Sequence, residues 1–172
     1  MAWQLSLAGA LGALAVLAVG IRPALVVPLY LAVLSGELCR VDVAEHRLPN
    51  ALVLPGYGFA AVGLGWQWWL MGTRPWQALG VGVAFFVFLL LMNLAGGMGM
   101  GDVKLAGLLG LGLGALGVTT AVAGIVIGFV AGGAAGVLTL LAPGGASRRI
   151  PFGPFLLLGF WSALGVSRVF ES

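Results

Sequence analysis

The chain has 172 residues, 61% of them hydrophobic and only 8% charged, with a mean hydropathy of +1.14 and a net charge of +3. Soluble domains carry about 25% charged residues, so this composition excludes one and points to an integral membrane protein. The small net charge gives no basic surface for nucleic acid.

Long apolar runs predict an all-α, polytopic membrane bundle of about six or seven transmembrane helices in a single domain over residues 1–172. A barrel would instead show strands of alternating polarity over about 10 residues. The 30 glycines lack the three-residue period of collagen and suit closely packed membrane helices. Cys39 is the single cysteine, which rules out an internal disulfide and a cysteine-based zinc cluster; it reads as a small buried hydrophobe. No metal or cofactor is expected.

Punctuation by Arg, Pro, Gly and Asn divides the chain into apolar segments at 4–20, 23–39, 51–71, 77–95, 103–117, 119–141 and 153–169. The first has no basic residue before it and reads as a retained span rather than a signal peptide. Several segments are shorter than the ~20 residues of a straight span. A cytoplasmic N-terminus puts Arg40, Arg47, Lys104, Arg148 and Arg149 inside and Arg22, Arg74 and Arg168 outside, which the positive-inside rule favours. Trp66, Trp68, Trp69 and Trp76 then flank an outer turn at 72–75 as an aromatic belt.

The stretch 37–50 reads as an inner loop and holds three of the five acids and the one histidine. Pro49 should stop a helix and Asn50 should cap the next. Within it Asp42 is the natural functional acid. Glu37, five residues earlier, faces elsewhere, and Glu45 reads as a solvated acid beside Arg47. A lone His46 cannot build a typical zinc site.

Asp102 closes the run Gly96-Gly97-Met98-Gly99-Met100-Gly101-Asp102-Val103-Lys104. A carboxylate at membrane depth marks a functional site by default, and the glycines let backbone approach it. Lys104 reads either as a snorkelling, topology-setting residue or as a cation serving Asp102 or a substrate carbonyl. In segment six, Gly124, Gly128 and Gly132 have the small-xxx-small spacing of close helix packing, in a region that also holds Gly133 and Gly136. The stretch 143–149 reads as a basic loop near lipid headgroups. Pro151-Phe152-Gly153-Pro154 reads as a stiff turn back into the bundle.

Asp42 and Asp102 fall at the same membrane face. Two nearby carboxyls share a proton, so one can take a proton from water while the other polarises a carbonyl. That fits an aspartic protease; a proton-coupled transporter or channel subunit would use the same pair.

Three elements then carry a resemblance. Gly99-Met100-Gly101-Asp102 matches the GxGD signature of membrane aspartic proteases, and its setting resembles the prepilin peptidase family. So do Asp42 with Arg47-Leu48-Pro49-Asn50, sixty positions upstream, and Pro151-Phe152-Gly153-Pro154-Phe155-Leu156. The resemblance implies cleavage of the short basic leader of prepilins or pseudopilins at the cytoplasmic face of the bacterial inner membrane. Asp42 and Asp102 would be the catalytic pair, with Gly99, Gly101, Lys104, Pro49 and Asn50 binding substrate or supporting the site. Large members methylate the new N-terminus and carry paired CxxC motifs. Here only Cys39 exists, so the chain resembles the minimal, tight-adherence form without methylation. A presenilin-like reading would place Pro-Ala-Leu after the second aspartate, whereas Pro23-Ala24-Leu25 precedes both. Nothing in the sequence sets an oligomeric state.

Overall fold

The computed structural model describes residues 2–72, 74–141 and 150–170. The basic stretch 143–149, with Arg148 and Arg149, lies outside the described residues, as does the side chain of Arg168. Among the described residues seven α-helices follow in order: α1 (Ala2–Val19), α2 (Val26–Glu45) after a 3-10 turn at Pro23–Leu25, α3 (Asn50–Met71), α4 (Trp76–Leu94), α5 (Met100–Gly114), α6 (Val118–Leu141) and α7 (Gly153–Phe170). No strand occurs among the described residues, and the chain is a helical membrane bundle.

Three stretches are by themselves long and apolar enough to cross a membrane: Pro23–Glu45, Trp76–Leu94 and Val118–Leu141. The ends of the bundle, Trp3–Val19 and Gly153–Ser167, are shorter apolar helices. The expected seven segments are therefore all helical, but they are not seven equivalent spans. The 15 residues of α5 rise only about 22 Å, short of the ~30 Å hydrocarbon core.

That short helix is the axis of the molecule. Val103, the whole turn and a half from Leu105 to Gly110, and Gly112, Leu113 and Gly114 are buried. A helix apolar on every side belongs in the interior. Its glycines let neighbours come close. A Cβ on Gly110 would fall 2.9 Å from Gly82 Cα of α4, and one on Gly112 would fall 2.8 Å from Val27 of α2 and 3.2 Å from Phe160 of α7. In lipid there is little hydrophobic force between helices, so this intimate van der Waals fit is what holds α5 in place.

α6 and α7 pack by the same rule. A Cβ on Gly128 would sit 3.0 Å from Phe155 O, and one on Gly132 would meet the Phe152 ring. The small-residue spacing thus marks the contact as expected at Gly124, Gly128 and Gly132. Gly133 instead faces open space. α1 is part of the bundle, packed on α2 and α7. Gln4 Nε2 donates to Glu37 Oε2 at 2.8 Å, tying α1 to α2. Between α7 and α2, Trp161 Nε1 donates to Ser35 Oγ at 3.0 Å, and Ser35 Oγ donates to Leu31 O at 2.7 Å.

Two boundaries depart from expectation. The stretch 37–50 is not a loop from its start: α2 continues to Glu45, carrying Glu37, Arg40 and Asp42 on helix. Charged side chains at the end of a membrane helix need only a route to the surface, and they do not break the backbone pattern. Nor does Asn50 cap α3; Pro49 holds the cap position, and no side-chain hydrogen bond is made there.

Candidate active site

The site lies where the C-terminal end of α2 meets the N-terminal ends of α5 and α7. α2 stops because His46 turns left-handed (φ 52°), with its N–H donated to Asp42 O at 2.8 Å. His is among the few non-glycine residues that adopt this region readily. Pro49 then bars a further turn. This ending leaves Asp42 one turn from the end of α2, 3% exposed, facing inward.

The approach to α5 is built from glycine. α4 ends at Leu94, and Gly96 takes φ 82°, a conformation that glycine adopts without strain. Asn93 Nδ2 donates to Met98 O at 2.7 Å, which pins the turn. Gly99 caps α5, its carbonyl accepting from the N–H of Asp102 at 3.1 Å. Asp102 falls in the first turn of α5 and is 8% exposed. Its Oδ1 has no hydrogen-bond partner among the described residues.

Asp42 and Asp102 line one cavity of about 540 Å³, together with His46, Met98, Gly132 and Phe152. The expected pair is therefore brought together. Glu37 is directed away, to Gln4 and Arg40, and Glu45 is exposed at the end of α2.

The remaining expected residues divide. Gly99 lies at the site: a Cβ there would come 3.3 Å from Asp102 Oδ2. Gly101 lies behind it, against the 46–49 link; a Cβ would fall 2.8 Å from Leu48 Cβ and 3.1 Å from Leu48 N. Pro49 shapes that link. Lys104 is not in the cavity. It lies on another side of α5, where its Nζ donates to Asn50 Oδ1 at 2.9 Å. Two residues along a helix is a rotation of about 200°, so the spacing Asp-Val-Lys itself separates the two charges.

One contributor was not expected to touch the chemistry. The Gly153 N–H, the first of α7, donates to Asp42 Oδ2 at 2.9 Å. Free N–H groups at a helix start suit a carboxylate. Pro151 and Phe152 bring this N–H up from the cavity wall, and the absence of a side chain at 153 makes room, since a Cβ would fall 2.8 Å from the same oxygen. The Pro-Phe-Gly-Pro run signalled a turn but not its target.

Among the described residues no group of three or more His, Cys, Asp or Glu side chains is placed to hold a metal ion. The arrangement offers two buried carboxyls, one oriented by a backbone donor, around a space large enough for a peptide bond and a water.

The model of the type IV leader peptidase family matches residues 25–140. The chain belongs to that family. It is thus a peptidase of the prepilin peptidase kind. No curated protein and no solved structure matches it. The matched stretch of the peptidase contains both aspartates but stops before α7, so the donor that orients Asp42 comes from outside it.

Proposed function

We infer that this membrane peptidase is an aspartic endopeptidase. It removes the short basic leader from prepilins or pseudopilins at the cytoplasmic face of the bacterial inner membrane. The observation that carries this reading is the meeting of Asp42 and Asp102, from helices sixty positions apart in sequence, in one cavity at one end of the bundle.

The chemistry uses one proton between two carboxyls. The ionised carboxylate takes a proton from water, and the hydroxide formed attacks the scissile carbonyl carbon. The protonated carboxyl donates a hydrogen bond to the carbonyl oxygen and stabilises the tetrahedral intermediate. A proton then passes to the leaving nitrogen as the C–N bond breaks. The pair acts as a unit, and its protons belong to both members. No metal or organic cofactor enters the sequence of steps.

The charges support the cytoplasmic face. Arg40, Arg47 and Lys104 lie at the aspartate end, and Arg22 and Arg74 at the opposite end. A basic leader held at this face would present the bond before the substrate's hydrophobic helix. The single cysteine supports leader cleavage without methylation of the new N-terminus, as in a minimal peptidase of the tight-adherence kind. The test is co-expression with a prepilin bearing a basic leader, following the substrate's mass. The wild type should trim the leader. A folded enzyme that leaves a panel of prepilins intact, or a folded Asp42→Asn variant that still cleaves, would overturn the reading.

A further inference from the structure

Lys104 is a charge at the aspartate end of the bundle that the cleavage chemistry does not use. It stands at one end of a groove of about 450 Å³ whose floor is α5 (Lys104, Gly107, Leu111), with Tyr57 of α3 on one side and Val83 and Phe86 of α4 on the other. The other polar side chain on the wall, Tyr57, spends its hydroxyl on Lys104 O at 2.7 Å. Asn50 Oδ1 accepts one of the three N–H donors of the Lys104 ammonium, and the others remain for a ligand. The groove is therefore a long apolar trough with a cation at its end. Val83 on its rim is 62% exposed, so the trough opens on the lipid-facing side.

We propose that this groove holds one acyl chain of an anionic phospholipid whose phosphate sits on Lys104. The apolar lining and the lipid-facing opening suit an acyl chain. Charge favours an anionic headgroup. Any acyl chain leaves similar lipid surroundings to enter the trough, so burial discriminates little between lipids. The ammonium is what distinguishes one headgroup from another, by about fivefold for a single basic residue at an anionic surface. Lys104 of α5 is tied to Asn50 at the start of α3, so a bound phosphate would brace α3 against the helix that carries Asp102.

Native mass spectrometry of the full chain, with phosphatidylglycerol and phosphatidylcholine of identical acyl chains, tests this. Retention of phosphatidylglycerol should exceed that of phosphatidylcholine about fivefold, and Lys104→Gln should bring the two to parity while Asn50→Ala keeps the preference. Equal retention by the wild type, or a preference unchanged in Lys104→Gln, overturns the proposal. If Lys104→Gln does not fold, a photo-crosslinking residue in place of Val83 decides. Capture of phospholipid supports the site, and capture of the hydrophobic helix of a co-expressed prepilin overturns it. None of these readouts depends on cleavage, so the lipid site and the proteolytic reading stand or fall separately.

Discussion

Asp42 and Asp102 face the same cavity but are held in opposite ways. Asp42 is gripped: a backbone N–H from α7, 111 residues away, fixes one carboxyl oxygen at 2.9 Å. Asp102 is held by one oxygen only: Oδ2 lies against the Gly99 backbone, while Oδ1 is unpartnered among the described residues, with a turn of glycines in front of it. The contrast suggests a division of labour in which Asp42 is a fixed reference and Asp102 keeps its capacity for water or substrate.

The sharpest way to break that comparison is to neutralise each acid in turn. Asp42→Asn and Asp102→Asn should each lower leader cleavage by about 10²–10⁴-fold, the range for losing an acid–base group, with expression and helicity by circular dichroism retained. A large loss in only one of the two would end the description as a pair. Next comes the grip itself. Gly153→Ala puts a methyl 2.8 Å from Asp42 Oδ2, closer than the two can sit, so the carboxyl must shift. A misplacement of this order should lower kcat about 10²-fold, with a smaller change in KM. Unchanged kcat would show that the Gly153 donor does not matter to the reaction.

Gly101→Ala tests the far side of Asp102. Its Cβ would meet the Leu48 backbone at 3.1–3.2 Å, where no flexible side-chain end can yield. Overpacking of this kind costs about 1–3 kcal/mol and should appear as a lower unfolding midpoint in detergent. The smallest effect is expected from Tyr57→Phe, which removes the hydrogen bond to Lys104 O. A loss of about 1 kcal/mol in stability, with cleavage nearly unchanged, would place that contact in the scaffold and leave the aspartate contrast intact.

Sequence carried the fold far because apolar runs and glycine spacing have direct physical meaning in a bilayer. All seven segments are helices, and Gly124, Gly128 and Gly132 mark a real contact. It carried less where charge stood for structure. The charges of the stretch 37–50 signal a loop from Glu37 onward, although two turns of helix separate Leu38 from the end of α2. In the site, both aspartates were legible because a carboxylate in an apolar chain has few innocent explanations. The helical angle between Asp102 and Lys104 was also legible in principle, and it argues against their cooperation. Gly153 was not legible. Its contribution is a backbone N–H, which every residue but proline possesses, and only the folded chain shows which one points at Asp42.

That last dependence has a consequence for biosynthesis. Asp42 emerges early, but the group that orients it is made 111 residues later. At about 5–20 residues per second, roughly 5–20 s of translation separate the two. During that interval a nascent chain carries its first acid without its anchor. The Gly153 donor reaches Asp42 only when the seventh helix takes its place, so on the proposed aspartic mechanism the ribosome's own schedule delays competence until the bundle is whole.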